Sequence, residues 1–145
     1  MVRQGVPKGR TCALDLGRAR VGVAIDDELG MLAHPRGFIS GRDRKALVEA
    51  VKRFAEEENV VRFVVGLPLR MSGREGPEAR EARAVAQAIA DATGREVVLW
   101  DERLTSKQAD RELAMSGVNA KDRKERVDAV AACAILQAWM DARSR

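Results

Sequence analysis

Apolar residues in the first part of the chain fall into short runs bounded by glycine and charged residues. Residues 11–16 and 21–26 form two such runs, and a short basic stretch that begins with Gly17 separates them. This pattern is typical of two β-strands joined as a hairpin. A third strand is predicted within residues 30–40, where Pro35 favours an edge position or a bulge. The chain therefore begins with a predicted antiparallel meander.

The spacing of apolar residues then changes to the period of an α-helix. Between residues 43 and 58 the apolar positions lie on one helical face. They are Leu47, Val48, Val51, Phe54 and Ala55. Residues 61–66 and 96–101 are short apolar strands, and the helix predicted between them begins near Pro77 and ends at Gly94. Strands that alternate with helices predict crossover connections in a sheet.

Two more helices are predicted after the last strand. Thr105 and Gln108 have the spacing of a capping box, and Gly117 ends the helix that they begin. Residues 122–141 form a longer helix, which is apolar on nearly all sides and is expected to be buried. The order β-β-β-α-β-α-β-α-α predicts an α/β fold with a mixed five-stranded sheet and helices on both faces, the ribonuclease H-like arrangement.

The chain length and composition restrict the protein class. A length of 145 residues fits a single domain over residues 1–145, in which residues 1–10 are expected to be flexible. Cys12 and Cys133 lie far apart in apolar runs, so both are expected to be reduced core residues, and their spacing argues against a zinc site. No apolar run is long enough for a membrane span, and the N-terminus has no secretory signal pattern. These features favour the cytoplasm.

Asp15 interrupts the first apolar strand. A charged side chain in a strand interior is costly without partners. Three explanations are open: a position at the open end of the strand, capping of the following turn, or binding of a cation. Asp26 also ends an apolar run, but the residues after it are typical of a turn, so we interpret Asp26 as an ordinary turn residue.

Further carboxylates lie at positions where α/β folds build their sites. Asp101 and Glu102 directly follow a predicted buried strand, at its carboxyl end. Asp128 lies at the beginning of the most apolar predicted helix, where an unpaired charge is expensive. A salt bridge to Arg103 or Arg126 is the simpler explanation for Asp128, and metal binding is the other.

Three carboxylates near one end of a sheet favour a hard divalent cation. Mg²⁺ and Mn²⁺ take oxygen ligands and need no histidine or cysteine. Such ions can activate water and stabilise the leaving oxygen in phosphodiester hydrolysis. The net charge of +4 favours a polyanionic partner, and a basic surface can hold a nucleic-acid backbone. Aromatic residues are 3% with no tyrosine, so recognition is expected to rest on phosphate and shape rather than base stacking.

Four segments of the chain resemble, in order, the motifs of the YqgF family, also called RuvX. They are ALDLGRARVGVAID, VVGLPLRMSG, LWDERLTS and KERVDAVAACAILQAWM. Members of this family are described as Holliday junction resolvases related in fold to RuvC, and in bacteria also as nucleases that process the 5′ end of pre-16S rRNA. The resemblance covers residues 11–140 and implies a ribonuclease H-like fold with an acidic metal site.

The resemblance also implies roles for the residues that match the motifs. The implied catalytic ligands of Mg²⁺ or Mn²⁺ are Asp15, Glu102 and Asp128. The implied supporting residues are Asp101, Arg103 and Thr105. Arg103 is expected to orient a carboxylate or to contact phosphate, while Thr105 is more simply explained as a helix cap.

The loop after the Gly-Leu-Pro sequence departs from the family pattern. Members often carry Asn together with Asp or Thr there, whereas this loop reads GLPLRMSGREG, with Arg70 and Ser72. The loop is expected either to contact nucleic acid or to be a solvated flexible segment. The departure leaves the choice of substrate open. The residues expected to contact nucleic acid are Arg18, Arg20, Arg70, Arg74 and Lys124.

Three functions compete on these observations. The first is a metal-dependent nuclease acting on structured RNA or branched DNA, and paired cuts in a four-way junction would require a two-fold homodimer. The second is a nucleic-acid-binding module with the same fold and no useful catalysis. The third is nucleotide binding, because DLGRARVG also resembles the first phosphate loop of sugar kinases, actins and Hsp70-type ATPases. A single domain of this size lacks the second domain that completes their cleft.

Overall fold

The computed structural model describes residues 9–105 and 120–143, and for residues 120–128 it describes the backbone only. Within these residues the chain forms one five-stranded sheet with the strand order β3-β2-β1-β4-β5. The strands are β1 (Arg10–Leu16), β2 (Arg20–Asp26), β3 (Ala33–Ser40), β4 (Val60–Leu67) and β5 (Glu96–Asp101). The predicted number, order and approximate bounds of the strands are confirmed.

The strand directions also agree with the prediction. β1 and β2 pair antiparallel, as do β2 and β3, while β4 is parallel to both β1 and β5. β3 lies at the edge of the sheet, and Pro35 lies opposite Ala24, where the register of the β2–β3 pair shifts. Proline donates no backbone hydrogen bond, so an edge strand with an irregular register can hold it.

Helices cover both faces of the sheet. They are α1 (Arg44–Glu58), α2 (Pro77–Thr93) and α3 (Ala120–Arg143), and a short 3-10 turn spans Glu102–Leu104. Asp43 caps α1, because its side chain accepts hydrogen bonds from two backbone N–H groups of the first turn. Pro77 begins α2, and Gly94 ends it in the left-handed conformation. The helix predicted to begin at Thr105 and end at Gly117 falls, after Thr105, outside the described residues, as do residues 1–8 of the terminus that was expected to be flexible.

Each face of the sheet carries its own core, because successive side chains of a strand point to opposite faces. Leu14 and Phe63 belong to the core that α1 and α2 cover. Ala13 and Val64 belong to the second core, which α3 covers. Since Asp15 follows Ala13 by two residues in β1, its side chain lies on the α3 face of the sheet.

Asp26 is not the ordinary turn residue that the sequence suggested. It is the last residue of β2 and is buried, and its Oδ1 accepts a hydrogen bond of 3.0 Å from the backbone N–H of Thr11. Burial raises the pKa of Asp26. Asp27 holds the turn instead, because its Oδ1 accepts a hydrogen bond of 2.8 Å from the N–H of Met31. β2 ends at Asp26, as the predicted run does, and what differs from the prediction is that the Asp26 side chain is buried against β1 rather than in the turn.

Arg10 also differs from expectation, because it begins β1 rather than ending a flexible terminus. Its guanidinium donates to the Asp26 carbonyl at 2.7 Å and to Glu58 Oε1 at 3.2 Å. Cys12 is a free, buried cysteine and Cys133 is a free, half-buried one. Burial raises the pKa of both thiols, that of Cys133 to about 11. None of the helices in the described ranges combines the length and apolar character that a membrane span requires.

Candidate functional site

Asp15 lies in a recess at the carboxyl end of β1. On one side it pairs with Gly22 of β2. On the other side the β1–β4 ladder runs through the Leu14–Val65 pair, and Gly66 follows Val65 in β4. A glycine on each neighbouring strand leaves space around the carboxylate on the α3 face. Asp15 therefore lies at the carboxyl end of β1, which is the position that the first of its three explanations describes.

Glu102 reaches the same recess from the end of β5. β5 ends at Asp101, and the 3-10 turn that follows carries the Glu102 carboxylate back over Gly66. A Cβ atom placed on Gly66 would lie 2.9 Å from Glu102 Oε2 and 2.8 Å from Ile135 Cδ1, closer than ordinary contacts allow. The absence of a side chain at Gly66 is therefore what lets Glu102 occupy this position.

The two carboxylates interact electrostatically. Burial raises the pKa of Glu102 to about 7, and the negative charges of Asp15 and Asp101 contribute in the same direction. Two acids that share a partly buried recess resist simultaneous ionisation, and a cation between them would remove the conflict. The donor set consists of hard carboxylate oxygens, which fits Mg²⁺ or Mn²⁺.

The third predicted ligand, Asp128, lies in α3, and its side chain is outside the described residues. The helix runs antiparallel to β4, because Ile135 lies over Gly66 while Trp139 lies 5.2 Å from the guanidinium of Arg62. The backbone before Ile135 therefore continues toward the sheet end that carries Asp15. Among the side chains that are described, no group of three or more His, Cys, Asp or Glu residues suited to a metal occurs.

Asp101 and Arg103 form a pair beside the recess. Arg103 donates from NH2 to Asp101 Oδ2 at 2.6 Å and from Nε to Oδ1 at 3.0 Å. These bonds hold the pKa of Asp101 below its usual value. The remaining terminal nitrogen, NH1, donates to the Met71 carbonyl at 3.3 Å. Arg103 thus orients the carboxylate of Asp101 and anchors the loop after β4.

Thr105 ends the 3-10 turn, and its N–H donates to the Glu102 carbonyl at 3.0 Å. Its hydroxyl is buried without a hydrogen-bond partner among the described residues. The helix that it was predicted to cap lies outside them, so this prediction stays a prediction.

The predicted nucleic-acid contacts occupy different environments. Arg18 is exposed in the β1–β2 turn, whereas Arg20 packs on the Phe38 ring at 4.6 Å. Arg70 and Arg74 lie in the loop after β4. The side chain of Lys124 is outside the described residues. None of these contacts is tested by the structure.

The sequence alone did not indicate that Gly66 leaves space for Glu102 or that Arg80 lines a cavity. A glycine inside an apolar strand is a signal for close approach of another group, and Gly66 gave that signal. Arg80 lines a cavity together with Arg70 and Arg74. The spacing of Arg80 on an amphipathic helix is typical of a solvated face, so no sequence signal separated it from its neighbours.

Comparison with known proteins places these features in a family. The family model described as "RuvX: Holliday junction resolvase" matches residues 9–142. A protein of Anaeromyxobacter sp. (strain Fw109-5), named "Putative pre-16S rRNA nuclease", is 45% identical over 134 residues, which is 92% of this chain and 98% of that protein. A protein of the same name from Myxococcus xanthus is 43% identical, over 92% of this chain and 88% of its own length.

Solved structures with the same architecture are more distant in sequence. The structure of T. thermophilus RuvC in complex with a Holliday junction substrate has a TM-score of 0.64 at 13% identity, over 94% of this chain and 96% of that chain. The fowlpox virus resolvase in complex with Holliday junction DNA has a TM-score of 0.59 at 12% identity, over 94% and 99%. These resolvases are ribonuclease H-like, so the predicted fold class is confirmed.

Proposed function

The chain belongs to the RuvX family, and from that premise we propose that it is a divalent-metal-dependent nuclease that hydrolyses phosphodiester bonds in structured nucleic acid. The observation that carries the proposal is the meeting of Asp15 and Glu102 in one glycine-lined recess, where the pKa of Glu102 rises to about 7. Carboxylates with a strongly raised pKa cluster at functional sites, and a bound cation would stabilise both acids in their ionised form.

Asp15, Glu102 and Asp128 would hold Mg²⁺ or Mn²⁺ in this proposal. When bound, such an ion supplies an activated water and offsets negative charge on the scissile phosphate. The chain's own contribution is to orient the ligands. Gly66 admits the Glu102 carboxylate, and the backbone N–H of Thr105 binds the Glu102 carbonyl, which fixes the turn that presents this residue.

Precursor ribosomal RNA is the substrate that we favour. The relatives above 40% identity carry the name of a pre-16S rRNA nuclease, and we propose that Arg18, Arg70 and Arg74 contact phosphate groups of the RNA. A second candidate substrate is the four-way DNA junction, because the family model is described as a resolvase. Paired cuts in a junction would require a two-fold homodimer. We propose that the protein acts in the cytoplasm.

The proposal is tested by cleavage of two labelled substrates side by side, a structured precursor rRNA fragment and a four-way DNA junction. We expect cleavage of the RNA with Mg²⁺ or Mn²⁺, and none with EDTA or in Asp15→Asn. Asp91→Asn is the matched control, because Asp91 is an exposed acid on α2 whose side chain bonds only Gln87 among the described residues. Its activity should match the wild type.

The outcomes separate the competing functions. Paired symmetric nicks in the junction would make the protein a dimeric resolvase instead. Equal cleavage by Asp15→Asn and wild type would overturn the metal-site mechanism. Binding of both substrates with cleavage of neither would favour the non-catalytic binding module.

A further inference from the structure

A cavity of about 580 Å³ lies between the loop after β4 and the first turns of α2. Three arginines line it, Arg70 and Arg74 from the loop and Arg80 from the helix. The cavity is separate from the Asp15–Glu102 recess, because neither acid lines it. A concave surface lined by three arginines is suited to a phosphate, whose oxygens match the planar fork of arginine donors.

Glu75 is the one acid among the described residues that line this cavity, and it forms a salt bridge with Arg83 of α2. Glu75 accepts a hydrogen bond from Arg83 Nε at 2.7 Å, and this bond lowers the pKa of the Glu75 carboxyl. Within the described part of the chain, no carboxylate lies within salt-bridge distance of Arg70 or Arg74. Arg80 interacts with Glu75 and donates from NH1 to the Glu75 carbonyl at 3.4 Å, whereas Arg70 and Arg74 carry the positive charge that no carboxylate of the described residues pairs.

The backbone of the loop gives Arg70 a fixed place. Its N–H donates to the Arg74 carbonyl at 2.9 Å, and the Gly73 N–H donates to the Arg70 carbonyl at 2.7 Å, which closes a tight turn. The Arg70 guanidinium packs on the bare Cα of Gly76, where a Cβ atom would lie 2.8 Å from NH2. The contact with Gly76 thus holds the Arg70 side chain in the wall of the cavity.

Arg103 joins this loop to the recess. It bonds the Met71 carbonyl inside the loop, is held in a fork by Asp101, and directly follows Glu102 in the chain. A side chain that bridges the loop and the residue beside Glu102 limits the movement of the arginine cavity relative to the recess.

We propose that the cavity lined by Arg70, Arg74 and Arg80 binds a phosphate of the nucleic-acid substrate other than the scissile one, and that the Asp101–Arg103 pair sets its distance from the recess. The proposal rests on the proposed function for the identity of its ligand as nucleic acid. It assigns a positioning role to Arg103 and a substrate-binding role to Arg80.

The test measures binding without cleavage. A fluorescently labelled RNA hairpin is titrated in EDTA at several salt concentrations against wild type, Arg70→Gln, Arg80→Gln and the matched control Arg53→Gln, an exposed arginine of α1. Each cavity variant should weaken binding several-fold and lower the slope of log K against log salt by about one. Slopes for both cavity variants equal to that of Arg53→Gln, with unchanged thermal unfolding, would overturn the proposal.

Two versions of the RNA identify the source of the phosphate. If the loss in Arg70→Gln is seen only with a 5′-phosphorylated hairpin, the cavity takes a terminal phosphate, and if it is equal with a 5′-hydroxyl hairpin, the cavity takes an internal one. Both results support a phosphate site. Asp15→Asn should bind with the wild-type salt slope, so a failure of the nuclease proposal is visible separately as undiminished cleavage by that variant.

The positioning role of Arg103 has its own readout. Arg103→Lys keeps the charge but loses the fork to Asp101, so KM for the RNA should rise several-fold while kcat changes less. A fall in kcat at constant KM would contradict this role, because it would place Arg103 in the chemical step.

Discussion

Glu102 carries a cost in stability that follows from its place in the recess. Its folded-state pKa of about 7 lies above its ordinary value of 4.5, so the neutral form stabilises the fold. That contribution is complete below pH 4.5 and is lost as the pH rises through about 7. By this reasoning the ionised residue destabilises the metal-free protein above pH 7, and solvent around its partly exposed side chain reduces the size of this effect.

Glu102→Gln removes this titration while keeping the size of the side chain. In EDTA, we expect the variant to be the more stable protein at pH 8, with the difference shrinking as the pH falls toward 4.5. Chemical denaturation at a series of pH values measures the difference in the free energy of unfolding. A difference that stays constant with pH would mean that Glu102 does not titrate in this range.

The neighbouring residues Asp26 and Asp27 are expected to have opposite effects on stability when each is replaced by asparagine. Burial raises the pKa of Asp26, so its ionised form costs stability as the pH rises above 3.8. Asp26→Asn keeps an oxygen for the Thr11 N–H and should leave stability at pH 7 unchanged or raise it by less than about 1 kcal/mol.

Asp27→Asn is the matched comparison. The Met31 N–H lowers the pKa of the exposed Asp27, so this carboxylate stabilises the fold above pH 3.8, and the variant should be less stable at pH 7. Thermal unfolding at pH 7 measures whether the Tm of Asp26→Asn is unchanged or raised and whether that of Asp27→Asn is lowered. Destabilisation by both would show that the Arg10 contact with Asp26 outweighs the burial of that charge.

At the scale of elements, the sheet determines which residues can meet, and Gly66 in β4 is the position that controls the site. Gly66→Ala would push the Glu102 carboxylate or the Ile135 side chain out of place, since both lie within 3 Å of the added Cβ. We expect a loss of about 1–3 kcal/mol in stability and at least a tenfold loss of cleavage activity.

Gly94→Ala provides the control for Gly66→Ala. Gly94 has a φ of +68° at the end of α2 with open space around its Cα, so alanine there costs backbone strain of about 1 kcal/mol without touching the recess. Its specific activity should equal that of wild type. Equal activity of Gly66→Ala and Gly94→Ala would show that Glu102 does not need this position.

The elements themselves were largely predictable from local pattern. The strand and helix periods predicted β1 to β5, α1, α2 and α3 because each element follows the apolar spacing of its own face. Asp15 and Glu102 were identified by charge in an apolar setting and by family resemblance. Their meeting depends on Gly22 and Gly66 on strands adjacent in space, and sequence separation hides that adjacency.

The interpretation of Asp26 was wrong and Arg80 was overlooked for the same physical reason. Asp26 was interpreted from its neighbours in sequence, but its environment is set by Thr11 and Arg10 across the sheet. Arg80 likewise lines a cavity only because the loop that carries Arg70 and Arg74 lies against α2. Local patterns report which face a residue occupies, whereas the chemistry of a site depends on contacts between distant segments.

At the scale of the whole molecule, an ion bound in the recess should stabilise the entire fold. The recess is formed by β1, β2, β4 and the turn after β5, and α3 packs across the same sheet. Because these elements are distant in sequence, the recess exists only in the folded protein. Binding to the folded state alone stabilises it by about 2.7 kcal/mol at an ion concentration of one hundred times the Kd. For a chain of this size each kcal/mol raises the Tm by about 2–4 °C.

We therefore expect Mn²⁺ at saturation to raise the Tm by several degrees at pH 8, where Glu102 is ionised. Asp15→Asn should lose most of this shift, and Asp91→Asn, which changes an acid on α2 outside the recess, should keep it. Differential scanning calorimetry over a series of Mn²⁺ concentrations measures the shift without reference to any nucleic acid. An identical shift in wild type and Asp15→Asn would place the ion elsewhere on the protein, because a bound ion must lose affinity when one of its carboxylates is removed.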